Sequence, residues 1–227
     1  MHPEFEKVSQ TFEPAKLDDA RRLSWESLLA IARQIRPGML ETQARALAEE
    51  TLRAKGAERF WHKTHVRFGV NTRRTFSEMS LPGVRLQDKD IFFLDLGPVF
   101  HGYEGDVGAA FTVGEDPDMV RCAADARHLF QQIQVRWAEQ GWSGKRLYDF
   151  AQTAARDMGW EFALDGASGH RIADFPHVLY HKGNLVSFAG TPISDRWILE
   201  VHLRHPKRMF GAFYEDTLTR QPNPWLG

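Results

Sequence analysis

The sequence holds one cysteine, Cys122, among 227 residues. A single thiol cannot form a disulfide framework, a CxxC redox pair or a cysteine-rich zinc site, and its isolation points to a reducing, cytoplasmic setting. Cys122 lies in the helical pattern DMVRCAADARHLF, which suits a buried structural thiol better than a nucleophile. Charge of one sign is also missing: 29 Lys and Arg against 30 Asp and Glu leave a net charge of −1. Neutralising phosphates needs a basic surplus, so neither nucleic acid nor an acidic membrane surface is an expected partner. No run approaches the roughly 18 apolar residues of a membrane span. The opening stretch MHPEFEKVSQTFEP lacks the apolar centre of a signal peptide. His2 to Lys7 read equally as an affinity-tag remnant with one letter changed or as a native start. Several catalytic signatures are absent as well: no GxxxxGK(S/T), no GxGxxG, no HExxH and no GxSxG.

What is present is a globular composition, with 42% hydrophobic residues and 18 glycines, enough for a sizeable core and against general disorder. Apolar residues at helical spacing predict helices over residues 17–35, stopped by Pro37-Gly38, and 41–55, ended by Gly56. A strand is expected over 66–70, and two strands about a glycine-containing turn over 90–114. Asp116-Pro117 opens a long helix to about Glu139, ended by Gly141, and another helix covers 145–158. Strands follow near 160–164, 197–202 and 209–219.

The two halves resemble each other. At an offset of 103, Gly38, Ala48, Arg53, Gly56 and Glu58 meet Gly141, Ala151, Arg156, Gly159 and Glu161. The order of elements repeats too: two helices, a strand, then a hairpin. The preferred reading is an internal duplication, with two unrelated glycine-ended helices as the alternative.

Acids inside apolar strands carry the chemistry. Asp95 in FFLDLG and Asp106 in GYEGDVG are equidistant from Phe100-His101. If the turn lies there, the two carboxylates face each other across an antiparallel pair, with Cβ atoms about 5 Å apart. Two such carboxylates repel, and an apolar surrounding raises the cost of ionising both. A divalent cation removes that cost; pairing with Arg or Lys, or exposure to solvent, is the competing reading. The second hairpin repeats the device: Glu200 in WILE and Glu215 in GAFYED are equidistant from Lys207-Arg208. Halves related by an approximate two-fold would bring both pairs to one centre. Four carboxylates there call for two divalent ions, with Mn, Co, Fe or Zn suited to oxygen ligands. Histidines could complete the site: His170 in SGHRI first, then His177 and His181, His62 and His65 in FWHKTH, and His202 and His205 beside the second turn.

The ordered set Asp95, Asp106, His170, Glu200 and Glu215, in LDLGPVFHGYEGD, SGH, ILEVHL and FYEDTLTR, resembles the pita-bread metallopeptidases. These include methionine aminopeptidase, aminopeptidase P, prolidase and creatinase. The resemblance covers residues 17–220 and implies an α+β, duplicated pita-bread fold. In that fold a curved antiparallel sheet is covered by helices, in pseudo-two-fold halves of about 17–115 and 116–220. Residues 1–16 would be an N-terminal extension and 221–227 a tail. It implies that Asp95 is the bidentate ligand of one metal, Asp106 and Glu215 bridge both, and His170 and Glu200 bind the other. A hydroxide between the metals would attack the scissile carbonyl, with Glu200 as proton shuttle and His177 bonding the substrate carbonyl or oxyanion. The expected activity is that of an aminopeptidase or Xaa-Pro-type exopeptidase on a small peptide. A binding module without activity and a creatinase-like hydrolase of a non-peptide substrate are the alternatives. A homodimer is left open.

The sequence departs from the family pattern around the ligands. DxTRTF is replaced by Asp106-Val-Gly-Ala-Ala-Phe111, GHGIG by Gly169-His170-Arg171-Ile172-Ala173, and HExP by His177-Val-Leu-Tyr. A second substrate histidine would fall near Phe76 or Ser77, where neither residue can replace it. His62, His65 and His181 are the candidates for substrate binding in its stead.

Overall fold

Helix α1 spans Pro14–Ala32 and α2 Glu41–Ala54. In the second half, α3 spans Pro117–Gln140 and α4 Gly144–Asp157. The computed structural model describes residues 3–179, 182–221 and 223–225, so His2 and His181 lie outside the described residues. The predicted punctuation holds for α3. The Asp116 carboxylate accepts from the amides of Asp118 and Met119, Pro117 fills the first turn, and Gly141 closes the helix in the left-handed region. α1 starts three residues before the predicted position and stops at Ala32. α2 and α4 begin and end at the offset of 103 read from the glycines.

The strands are β1 (Arg59–Phe60), β2 (His65–Phe68), β3 (Asp90–Leu96), β4 (Pro98–Phe100), β5 (Tyr103–Glu104) and β6 (Val107–Val113) in the first half. The second half adds β7 (Glu161–Phe162), β8 (His170–Arg171), β9 (Trp197–Arg204) and β10 (Gly211–Thr217). The main antiparallel sheet runs β2-β3-β6-β10-β9-β7, with β8 also on β9. The two long hairpins, β3-β6 and β9-β10, meet at its centre, where Glu215 pairs with Gly108. At the flanks β2 pairs with β3 and β8 with β9. This is the pseudo-two-fold, mixed α/β architecture expected from the duplication.

The second hairpin has the predicted register, with Glu200 directly opposite Glu215. The first does not. Asp95 stands opposite Gly108, and Asp106 lies just before β6 rather than opposite Asp95. The turn is at His101-Gly102, between Phe100 and Tyr103, one residue later than expected. The hairpin is also interrupted, because β4 and β5 leave the main sheet and join β1 in a separate three-stranded one. The error shifts the partner by two residues, and side chains alternate with period two. Asp106 therefore still shares the face of Asp95, as a diagonal neighbour.

Helices cover one face of the main sheet. Tyr214 of β10 packs against Trp25 of α1 at 5.8 Å and against Phe130 of α3 at 4.9 Å. Trp25, Trp137 and Trp197 are fully buried, and truncating such a side chain to Ala costs about 3–5 kcal/mol. On the same face as Tyr214, the Asp216 carboxylate accepts two hydrogen bonds from the buried guanidinium of Arg21, at 2.7 and 2.6 Å. That bidentate pair ties α1 to the strand whose other face carries Glu215. Cys122 is buried in α3, and burial pushes its thiol up to about 12, so it is inert.

Candidate metal centre

On the face away from the helices, one cavity of about 290 Å³ is lined by Asp95, Asp106, His170, His177, Glu200 and Glu215. The two hairpins and β8 thus bring the five expected ligands to one place, where His177 joins them from a separate turn. Oxygens of Asp95, Asp106 and Glu215 lie within 4.8 Å of one another, and all three residues are buried. His170 reaches in from β8, its Nε2 2.8 Å from Oδ2 of Asp106. The Gly169 amide donates to Oε2 of Glu200 at 2.7 Å. This approach needs a glycine: Gly169 has φ +65°, and a Cβ there would come within 2.6 Å of the Ile198 carbonyl.

Electrostatics mark the cluster as short of positive charge. Burial raises Asp95 to about 6, against the pull of His62. Burial raises Glu200 to about 7, against His170 and the Gly169 amide. Glu215 is pushed well above its ordinary value by burial and by the charges of Asp106 and Asp95. Its contact with Asp95 pushes the two apart, Glu215 up and Asp95 down. Asp106 is the exception: burial would raise it, but hydrogen bonds from His170 and His62 hold it near 2. Burial opposes charge on His62 and His170, yet their carboxylate neighbours lift both to about 9. Oε1 of Glu215 is buried with no hydrogen-bond partner among the described residues. A buried, unpartnered carboxylate oxygen among three further acids fits a divalent ion.

His177 faces the same cavity from a short turn (His177–Leu179). Its Nδ1 is 2.6 Å from Oε2 of Glu104, and its amide donates to Oε1 of the same carboxylate at 3.0 Å. The carboxylate accepts, so Nδ1 carries the proton and Nε2 is the nitrogen available to the cavity.

The other histidines separate. The His62 ring is 5% exposed and lines the cavity, with Nε2 3.4 Å from both Asp95 and Asp106. His65 pairs across β2-β3 with Asp95 but lines two neighbouring cavities instead. Burial beside Arg67 lowers His65 to about 3, so it is neutral. His202 shares the face of Glu200 but donates from Nε2 to the Thr72 carbonyl at 2.7 Å. Phe76 and Ser77, which stand near the missing substrate histidine, do line the cavity.

Two departures from the family pattern turn out to serve packing. Arg171, in place of a glycine, alternates away from His170 on β8 and is fully buried. It donates to the carbonyls of Lys7, Ile172 and Arg196, tying the N-terminal segment to the sheet. Gly108, in place of the threonine, lies under Phe213 and Glu215 and leaves room for both.

Sequence reasoning missed two participants. Glu104 orients His177, and its signal was present as another acid in the apolar hairpin, two residues before Asp106. Trp61 stands edge-on to His62, His170 and His177 at 4.4, 5.0 and 5.2 Å, a role that no local pattern announces.

Residues 15–218 match the sequence profile of metallopeptidase family M24. A methionine aminopeptidase from Helicobacter pylori (strain J99) is 26% identical over 170 residues, which are 71% of this chain and 64% of the relative. The chain therefore spans about two thirds of the length of that relative. Among solved structures, an X-Pro aminopeptidase from Thermotoga maritima superposes with a TM-score of 0.73 at 24% identity, covering 96% of this chain and 63% of that one. A prolidase from Pyrococcus horikoshii gives a TM-score of 0.75 at 18% identity, over 99% and 66% of the two chains. A methionine aminopeptidase from Thermotoga maritima gives 0.72 at 15% identity, over 95% and 99%. These structural likenesses establish the fold.

Proposed function

Because this chain belongs to metallopeptidase family M24, we propose that it is a dinuclear metal-dependent exopeptidase, acting on a short peptide as an aminopeptidase or Xaa-Pro-type enzyme. The observation that carries this reading is the set Asp95, Asp106, Glu200 and Glu215 with His170 on one cavity, with Asp95, Asp106 and Glu215 buried. Relatives named as methionine aminopeptidase, X-Pro aminopeptidase and prolidase support the substrate class.

Asp95 would hold one ion, His170 and Glu200 the other, and Asp106 and Glu215 both. Two divalent ions, drawn from Mn, Co, Fe or Zn, supply an activated water and a polarised carbonyl when bound. The chain's own residues do the rest. Glu200, whose Oε2 accepts from the Gly169 amide, would take a proton from the attacking water and pass it to the leaving amine. His177, held by Glu104, presents Nε2 to the carbonyl oxygen of the substrate and stabilises the charge that develops there. Trp61 and Phe76 line the cavity.

The test is metal content and cleavage together. Metal-reconstituted protein should release the first residue from Met-Ala-type or Xaa-Pro peptides with Mn or Co, and a chelator should abolish it. Uptake of about one equivalent of transition metal or less after reconstitution would sink the dinuclear reading, for which two ions are required. Cleavage of neither peptide class, with a turnover of another compound that Glu200→Gln abolishes, would move the assignment to a non-peptide substrate.

A further inference from the structure

His62 lies between β1 and β2, outside every motif that carries the family pattern, yet it reaches the same carboxylates. Its Nε2 is 3.4 Å from Oδ1 of Asp95 and 3.4 Å from Oδ1 of Asp106. Its Nδ1 is 2.9 Å from the Lys63 carbonyl. A carbonyl only accepts, so Nδ1 carries the proton, and Nε2 is the nitrogen turned toward the two acids.

His170 is built the same way. Its Nδ1 is 2.7 Å from the carbonyl of the next residue, Arg171, and its Nε2 is 2.8 Å from Oδ2 of Asp106. The two imidazoles therefore flank one carboxylate, one on each oxygen, and each ring is oriented by the carbonyl that follows it. Such outer hydrogen bonds fix the tautomer of metal-ligating histidines. The slot for His62 is also provided for. Gly97 lies against the ring, and a Cβ there would collide with Cδ2 and Nε2 of His62. Trp61 closes the other side at 4.4 Å.

We propose that His62 is a metal ligand, binding the ion held by Asp95 and Asp106, so that each of the two ions carries one imidazole. This rests on the two-ion reading given above. With metal–ligand bonds of about 2.1 Å, neighbouring ligand atoms stand about 3 Å apart in an octahedral site and about 3.4 Å apart in a tetrahedral one. The 3.4 Å separations seen here fit that range. Nitrogen in the set shifts the first ion's preference from Mn toward Zn, Co or Fe.

The experiment titrates metal-free protein with Co(II), by equilibrium dialysis and visible absorption, in the wild type and in His62→Ala. It is paired with 15N NMR of histidine-labelled, Zn(II)-loaded wild type. The expected result is two cobalt ions in the wild type and a loss of about tenfold or more in affinity for one of them in the variant. In the zinc form, Nε2 of both His62 and His170 should lose any proton while Nδ1 keeps its own. Wild-type cobalt affinities and spectrum in a folded His62→Ala overturn the assignment. A proton retained on His62 Nε2 in zinc-loaded wild type overturns it without any variant. Wild-type protein that takes up no cobalt overturns the two-ion reading, and this assignment with it. Two ions bound at wild-type affinity in His62→Ala overturn this assignment alone.

Discussion

The Nδ1 of His177 lies 2.6 Å from a carboxylate oxygen of Glu104, and the same carboxylate accepts the His177 amide through its other oxygen. Both contacts are buried, with Glu104 1% exposed. One residue thus sets the ring's position, its rotation and the tautomer that faces the cavity. Glu104→Gln keeps the size of the side chain but can present an NH₂ group to Nδ1, favouring the wrong tautomer. Turnover should fall by about 10²-fold, the scale of a small misplacement of a reacting group, with metal content unchanged. Steady-state kinetics beside metal analysis check this, and loss of metal would reassign Glu104 to the metal centre.

Glu215 illustrates a conflict between stability and function. It is buried beside Asp95, and its Oε1 has no hydrogen-bond partner among the described residues. In the metal-free protein, Glu215→Gln removes one of the crowded acids, so its melting temperature should equal or exceed that of the wild type. On the proposed reading the same change would remove a ligand shared by both ions, so cobalt should stabilise the variant much less than the wild type. Thermal melts of both proteins with and without cobalt measure the contrast. A variant less stable than wild type when metal-free, yet stabilised equally by cobalt, would contradict it.

A pH dependence follows from His202. The ring is buried against Phe93 and Phe213, and its Nε2 donates to the Thr72 carbonyl. Burial lowers it to about 4 from an ordinary 6.5. The unfolded chain then binds a proton that the folded chain refuses. Stability from this residue is whole above pH 6.5 and is lost as pH falls toward 4. The full swing is up to about 3 kcal/mol. Urea unfolding of metal-free protein between pH 7 and 4 should show a shallower decline in His202→Gln than in wild type. Parallel declines would remove His202 as the cause.

Much of this architecture is legible in the chain, for identifiable reasons. The glycines after α2 and α4 end two helices at one offset, and the β9-β10 turn is simple enough that equal spacing finds Glu200 opposite Glu215. The β3-β6 hairpin is not simple, because β4 and β5 between its strands join β1 in another sheet. Spacing therefore misplaced the partner of Asp95 by two residues, and the face survived only because side chains alternate. His62, Trp61 and Glu104 owe their places to contacts between segments about 40 to 110 residues apart in the chain, among them His62 with Asp106, Trp61 with His170 and Glu104 with His177. No local period encodes these.

The central claim is that Asp95, Asp106, His170, Glu200 and Glu215 enclose two ions. Anomalous diffraction at the cobalt edge, from crystals of cobalt-loaded protein, tests it most directly. Two peaks are predicted in the cavity, one against Asp95 and one against His170 and Glu200, with Asp106 and Glu215 between them. A single peak, or peaks only elsewhere on the protein, would contradict the account.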